Sequence, residues 1–171
     1  MMILISGGNG SGKSAYAEKL ASTMPVPRYY IATMVSQSEE NERRIEKHRR
    51  QRSGLGFVTI EEPCRVSRAA VEPTSLVLLE DISNLLGNMI FTEHGIKEDA
   101  LQEVLGLQKK CRHLLVVTIS GLPAEAYEGE TAEYIRAMEW LNEQLFAVSD
   151  VVVELQNGKP ECRKGALNEV F

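Results

Sequence analysis

Eight residues near the start, Gly7-Gly8-Asn9-Gly10-Ser11-Gly12-Lys13-Ser14, fit the spacing G-x-x-x-x-G-K-[ST] through Gly7, Gly12, Lys13 and Ser14. Phosphate oxygens need several donors at short range, and backbone N–H groups supply them when a loop curls inward. Glycines permit that curl and keep side chains out of the way. A helix starting near Lys13 would point its positive end at the anion. Lys13 would then reach the β- and γ-phosphates of a nucleotide, and Ser14 would ligate Mg²⁺. The loop by itself implies nucleotide binding, not a reaction.

Two further groups carry possible chemistry. The apolar run Leu76–Leu79 ends in Glu80-Asp81. An acid at the end of a strand beside the phosphate loop holds Mg²⁺ in proteins of this type, and Glu80 is the candidate. Asp81 reads as the N-cap of the following helix. The segment Ser38–Arg52 begins with Glu39, Glu40 and Glu42 and ends with Arg49, Arg50 and Arg52, the order that suits a helix dipole. Arg44, His48 and Arg52 recur every four residues and share one face. One reading is a solvated helix. The other is an anion-binding face with an imidazole at its centre, where a neutral ring acts as nucleophile and the arginines steady a triphosphate. His94, in a turn, and His113, at the start of a strand, lack this setting.

The elements that must position these groups alternate along the chain. Short runs rich in Ile, Leu and Val occur at Met2–Ser6, Arg28–Ala32, Phe57–Ile60, Leu76–Leu79, Leu114–Ile119 and Val151–Leu155, and they read as strands buried on both faces. Helical patterns lie between them at Lys13–Thr23, Ser38–Arg52, Ile82–Phe91, Lys97–Cys111 and Thr131–Ala147. This alternation predicts an α/β domain with a mainly parallel sheet. Asn157-Gly158 predicts a hairpin that adds an antiparallel strand at the sheet edge. The 171 residues are expected to form one unit, 1–171.

Composition narrows the partners. A net charge of −5 argues against non-specific nucleic-acid binding. The opening Met1–Ile5 is too short for a signal-peptide core, and no run approaches the ~18 apolar residues of a membrane span, so a cytoplasmic location is expected. Cys64, Cys111 and Cys162 show no metal-ligand spacing and read as free thiols.

Together, "MMILISGGNGSGKSAYAE", "YYIAT", "RRIEKHRRQR", "FVTIEEP" and "LVLLEDISNLLGNMIF" resemble the bifunctional adenosylcobinamide kinase / adenosylcobinamide-phosphate guanylyltransferase family of cobalamin synthesis. Weaker similarity continues in "YIRAMEWLNEQLFAVSDVVVELQNGKP". The resemblance implies a three-layer P-loop NTPase-like (RecA-like) fold assembled as a homotrimer. It implies two reactions: phosphorylation of adenosylcobinamide by ATP or GTP, and GMP transfer from GTP to the resulting phosphate through a guanylylated histidine. His48 takes the place of that histidine. The loop Gly7, Gly8, Asn9, Gly10, Ser11, Gly12, Lys13 and Ser14 carries over as nucleotide-binding, with Ile31, Ala32 and Thr33, with Arg49, Arg50, Gln51 and Arg52, and with Glu61 and Glu80. Mg²⁺ is expected on Ser14 and Glu80. Ile119, Ser120 and Gly121 stand where the family has Asn-Glu-Val, so altered binding of the corrinoid acceptor is expected. The alternatives are a P-loop kinase of another small alcohol or nucleotide, a divergent paralogue with one activity, and a non-catalytic nucleotide-binding subunit.

Overall fold

A computed structural model describes residues 1–24 and 27–167 of the chain. The unit expected over 1–171 therefore includes residues 25–26 and 168–171, which lie outside the described set. In chain order the elements are β1 (Met2–Gly7), α1 (Lys13–Ser22), β2 (Arg28–Ala32), α2 (Glu39–Arg52), β3 (Phe57–Glu61), β4 (Leu76–Glu80), α3 (Ile82–Gly87), α4 (Lys97–Gln108), β5 (His113–Ile119), α5 (Gly129–Val148), β6 (Val151–Gln156) and β7 (Lys159–Lys164). The strands form one seven-stranded sheet in the order β3-β2-β4-β5-β1-β6-β7. Every pairing is parallel except β6 with β7, which is antiparallel.

Alternate residues of the strands feed two cores, as the period of two requires. Met2, Leu4, Val77, Leu79, Leu114, Val116 and Val152 face α3, α4 and α5, meeting Leu85, Val104, Leu107, Met138, Leu141 and Leu145. Ile3, Ile5, Tyr30, Leu78, Leu115, Val117, Val153 and Leu155 face the other way, toward Ala17 and Ala21 of α1. Burial on both faces explains why the central strands read as unbroken apolar runs. β1 lies between β5 and β6, so the loop that follows it emerges at the carboxyl end of a central strand.

Two elements differ from their sequence reading for identifiable reasons. The single helix expected over Ile82–Phe91 keeps α-geometry only to Gly87, and Asn88–Thr92 widens into a π-turn. Asn88 Nδ2 donates to the carbonyls of Thr33 at 2.8 Å and Pro63 at 3.0 Å, a pull that periodicity does not register. The helix expected to run to Cys111 ends at Gln108, where the Lys109 backbone N–H turns back to the Leu107 carbonyl. Cys64, Cys111 and Cys162 are free, as expected.

α2 stands apart. Its only buried residue is Arg52, and no apolar stripe docks it on the sheet. Ser38 caps its N-terminus by accepting from the Asn41 N–H at 3.2 Å. Its other end is held where the Arg52 guanidinium carbon lies 3.4 Å above the Tyr30 ring.

The β6–β7 turn also reaches the phosphate loop: Gly158 N–H donates to the Ser11 carbonyl at 3.1 Å. At Gly7 a methyl group would meet the Leu155 carbonyl oxygen at 2.7 Å and Ser11 Oγ at 2.5 Å. Gly7→Ala is therefore expected to lower unfolding stability by about 1–3 kcal/mol through forced displacement of backbone. Urea unfolding followed by circular dichroism measures this, and an unchanged midpoint would show that the loop and β6 separate freely.

Candidate functional site

The loop Gly7–Ser14 folds as its composition requires. Gly12 has φ +88°, a left-handed value that favours glycine, and hands the chain into α1. The Tyr16 N–H then donates to the Gly12 carbonyl at 3.0 Å, closing the first helical turn. Lys13 Nζ folds back over the loop and donates to the Gly8 carbonyl at 3.1 Å. Burial pulls the Lys13 ammonium below its ordinary pKa. Asp81 and Glu80 oppose that shift, and Arg44 adds to it.

Glu80 ends β4 directly opposite. It is 8% exposed, yet both its oxygens are engaged. Ser14 Oγ donates to Oε1, and the Tyr30 hydroxyl donates to Oε2 at 3.1 Å. Burial, then Glu80, raises the Tyr30 phenol and keeps it a donor. The backbone of Glu80 is held as well, because Thr33 Oγ1 donates to its carbonyl at 3.0 Å and accepts from the Asp81 N–H at 2.8 Å. His48 Nδ1 lies 3.8 Å from Glu80 Oε1. The helix expected to present His48 to an anion thus presents it to a carboxylate, beside the loop.

Between these elements lies a cleft of about 330 Å³. Of the predicted residues, Asn9, Gly10, Ser11, Gly12, Lys13, Ser14, Ala32, His48, Gln51, Arg52 and Glu80 line it. Gly7 and Gly8 shape the loop from behind. Ile31 is fully buried in the apolar core and Thr33 acts through Glu80, so neither faces the cleft. Arg49 and Glu61 pair with each other at 2.5 Å on the exposed side of α2 and β3. Arg50 pairs with Glu46 at 3.0 Å on the same exposed side. The four-residue spacing of Arg44, His48 and Arg52 does select the inner face of α2, since all three line the cleft. Asp81 is the N-cap of α3, accepting from the Asn84 N–H at 2.8 Å.

Sequence reasoning missed Tyr30 and Glu18. Tyr30 hides inside the strand "RYYIA", where it reads as core. Glu18 sits one turn beyond Ser14 on α1, a spacing that puts both on one helix face. Glu18 is 3% exposed. One of its oxygens, one of Glu80 and a ring nitrogen of His48 lie within 4.8 Å of one another, the one such cluster among the described residues.

Six buried side-chain polar atoms among the described residues have no hydrogen-bond partner. Five gather here: Ser11 Oγ, Glu18 Oε1, His48 Nδ1, Arg52 Nε and Arg52 Nη1. The sixth, His113 Nδ1, is at the other end of the sheet. Orphaned polar atoms are rare in folded proteins, and such a concentration marks a place built for a polar ligand. Donors from the loop and Arg52 suit phosphate, and the oxygens of Ser14 and Glu80 suit a hard cation such as Mg²⁺.

The chain matches the family model described as cobinamide kinase / cobinamide phosphate guanyltransferase over residues 3–162. It is 30% identical to the bifunctional adenosylcobalamin biosynthesis protein CobP of Pseudomonas aeruginosa, over 96% of this chain and 98% of the relative. It is 36% identical to the corresponding protein CobU of Escherichia coli K12, over 57% of this chain and 55% of the relative. Among solved structures, an ATPase from the type III secretion system of pathogenic bacteria superposes with TM-score 0.51 at 10% identity, over 91% of this chain and 52% of that one. A Pyrococcus horikoshii OT3 protein studied as project PH0250 gives 0.54 at 9% identity, over 99% and 88%. A further ATPase domain gives 0.52 at 11% identity, over 90% and 68%. These likenesses place the fold among P-loop ATPase domains. No helix among the described residues is long and apolar enough to cross a membrane.

Burial pushes the Glu18 carboxyl up to about 7. Glu80 adds to the rise and Arg52 opposes it. The folded chain therefore holds a proton between the ordinary value of 4.5 and about 7 that the unfolded chain releases. Stability from this group is full below about 4.5 and is lost as the pH rises through about 7. Glu18→Gln, which cannot ionise, is expected to melt close to wild type at pH 4.5 and above it at pH 8, by on the order of 1–2 kcal/mol. Thermal melts across that range measure the difference. A gap that stays constant with pH would contradict the assignment.

Proposed function

We propose how this chain, which belongs to the cobinamide kinase / cobinamide phosphate guanyltransferase family, carries out its two reactions. Its activities are those of the family, cobinamide kinase and cobinamide phosphate guanylyltransferase, in cobalamin biosynthesis; we take the acceptor to be adenosylcobinamide. In our reading one cleft serves both, with ATP or GTP as phosphoryl donor and GTP as guanylyl donor. The observation that carries it is that Lys13 of the phosphate loop and His48 of α2 line one cleft together with Glu80, which lies 3.8 Å from His48 Nδ1.

The loop amides and Lys13 hold the β- and γ-phosphates and offset charge as a leaving group departs. In the kinase step the acceptor hydroxyl attacks the γ-phosphorus, and no protein nucleophile is needed. In the guanylyl step His48 attacks the α-phosphorus, splitting one difficult transfer into two easier ones. Arg44 and Arg52 line the same wall as His48 and steady the phosphate under attack. Mg²⁺ held by Ser14 and Glu80 would supply further charge neutralisation at the departing pyrophosphate. The backbone after β5 supports a place for the acceptor, because the Ser120 N–H donates to the Gly7 carbonyl at 3.1 Å and brings Ile119–Gly121 beside the loop. We place the enzyme in the cytosol, where both triphosphates are available, and as a homotrimer. The exposed side chains of Phe91 and Ile96, which line one groove, support self-association.

Lys13→Ala is expected to reduce both transfers by a hundredfold or more, roughly the cost of one lost transition-state contact. His48→Asn keeps a hydrogen-bonding side chain but cannot form a phosphoramidate. It is expected to abolish guanylyl transfer while phosphorylation of adenosylcobinamide continues. Separate assays of the two products decide the matter. Guanylyl transfer surviving in His48→Asn would refute the role given to His48.

A further inference from the structure

We propose that Glu18 is a positioning residue for guanylyl transfer: its buried carboxylate holds the proton of the His48 ring on Nδ1 and stabilises the ring cation that exists while Nε2 carries the guanylyl group. The inference rests on the reading that His48 is the guanylylated residue.

Three observations point this way. The ring nitrogen enclosed in the protein without a partner is Nδ1, which leaves Nε2 as the nitrogen available to the cleft that His48 lines. A Glu18 oxygen, a Glu80 oxygen and a His48 ring nitrogen lie within 4.8 Å of one another, and Glu80 is 3.8 Å from Nδ1, the enclosed nitrogen. The two acids are not equivalent. Glu80 already accepts from Ser14 on one oxygen and Tyr30 on the other, whereas Glu18 Oε1 is enclosed and accepts from nothing. Glu18 is thus an acceptor without a donor beside the ring, and catalytic contacts that are long in an unliganded site commonly tighten once the substrate is bound.

The reaction places a transient positive charge on the ring. The Nε2 lone pair forms the bond to the α-phosphorus of GTP. The bond from that phosphorus to the α,β-bridging oxygen breaks, and pyrophosphate leaves with the electron pair. Nδ1 keeps its proton, so the ring carries one positive charge. In the second half a phosphate oxygen of adenosylcobinamide phosphate attacks the same phosphorus, the P–N pair returns to Nε2, and the ring is neutral again. A positive charge that appears and disappears in a half-buried ring is stabilised by a fixed carboxylate on its far side, the role an acid plays behind a catalytic histidine elsewhere. No proton moves in either half, so the effect is expected to be smaller than the roughly 10⁴-fold seen where the histidine itself shuttles a proton.

The test uses the full chain at pH 8 with ¹⁵N-labelled histidine. Long-range ¹H–¹⁵N spectra, with His48 assigned by its loss in His48→Asn, are expected to show the proton on Nδ1 in the resting enzyme. After GTP treatment the phosphorus is expected on Nε2. Glu18→Gln is expected to slow single-turnover formation of the GMP adduct by roughly a hundredfold, with part of the rate restored in Glu18→Asp. A melt of Glu18→Gln at or above wild type excludes loss of folding as the cause. A resting proton on Nε2, GMP on Nδ1, or an adduct rate in Glu18→Gln within twofold of wild type would each overturn the proposal while leaving His48 as the nucleophile. GMP on a different residue would overturn the underlying reading as well.

Discussion

The site depends on one buried carboxylate that three chain segments approach. Glu80 ends a central strand, accepts from Ser14 of the phosphate loop and from Tyr30 of the neighbouring strand, and faces His48 of α2. Burying an acid costs several kcal/mol unless its oxygens are bonded. That cost is met only when the loop, β2 and β4 are all in register. The parallel pairing that sets Ala32 opposite Glu80 also puts Tyr30 two residues back on the same face, within reach of Oε2. The sheet thus fixes the carboxylate, and the carboxylate fixes where the loop serine sits.

α2 is attached in a different way from the other helices. α1, α3, α4 and α5 dock through apolar side chains, while α2 contributes one buried residue, an arginine lying on Tyr30. His48, the proposed nucleophile, is therefore carried on an element held by polar and cation–π contacts with residues that surround the cleft. Arg52, which lines the cleft, has two buried nitrogens without a hydrogen-bond partner among the described residues.

The fold was largely legible because β1, β4, β5 and β6 are buried on both faces and read as uninterrupted apolar runs, and Asn157-Gly158 marked the hairpin between β6 and β7. The π-turn at Asn88 was not legible, since it follows from tertiary hydrogen bonds to Thr33 and Pro63 carbonyls. For the site, residue type and spacing found the groups with obvious chemistry: the loop, Glu80 and the inner face of α2. They did not find Tyr30, whose aromatic body belongs to the core and whose hydroxyl alone belongs to the site. They did not find Glu18, which looks like any helix-surface acid in the sequence but is buried beside His48 and Glu80 in the fold. Arg49, Arg50 and Glu61, also expected at the nucleotide, lie on the outer surface, where Arg49 pairs with Glu61 and Arg50 with Glu46.

The central claim is that this cleft passes GMP through His48. Treatment of the wild-type protein with α-labelled GTP and Mg²⁺, followed by digestion and mass spectrometry, tests it most directly. The account predicts one GMP per modified chain, attached to the peptide containing His48 by a bond that survives base and breaks in acid, as a phosphoramidate does. Label found on serine, lysine or another histidine, or no covalent label under conditions where GMP transfer proceeds, would contradict it.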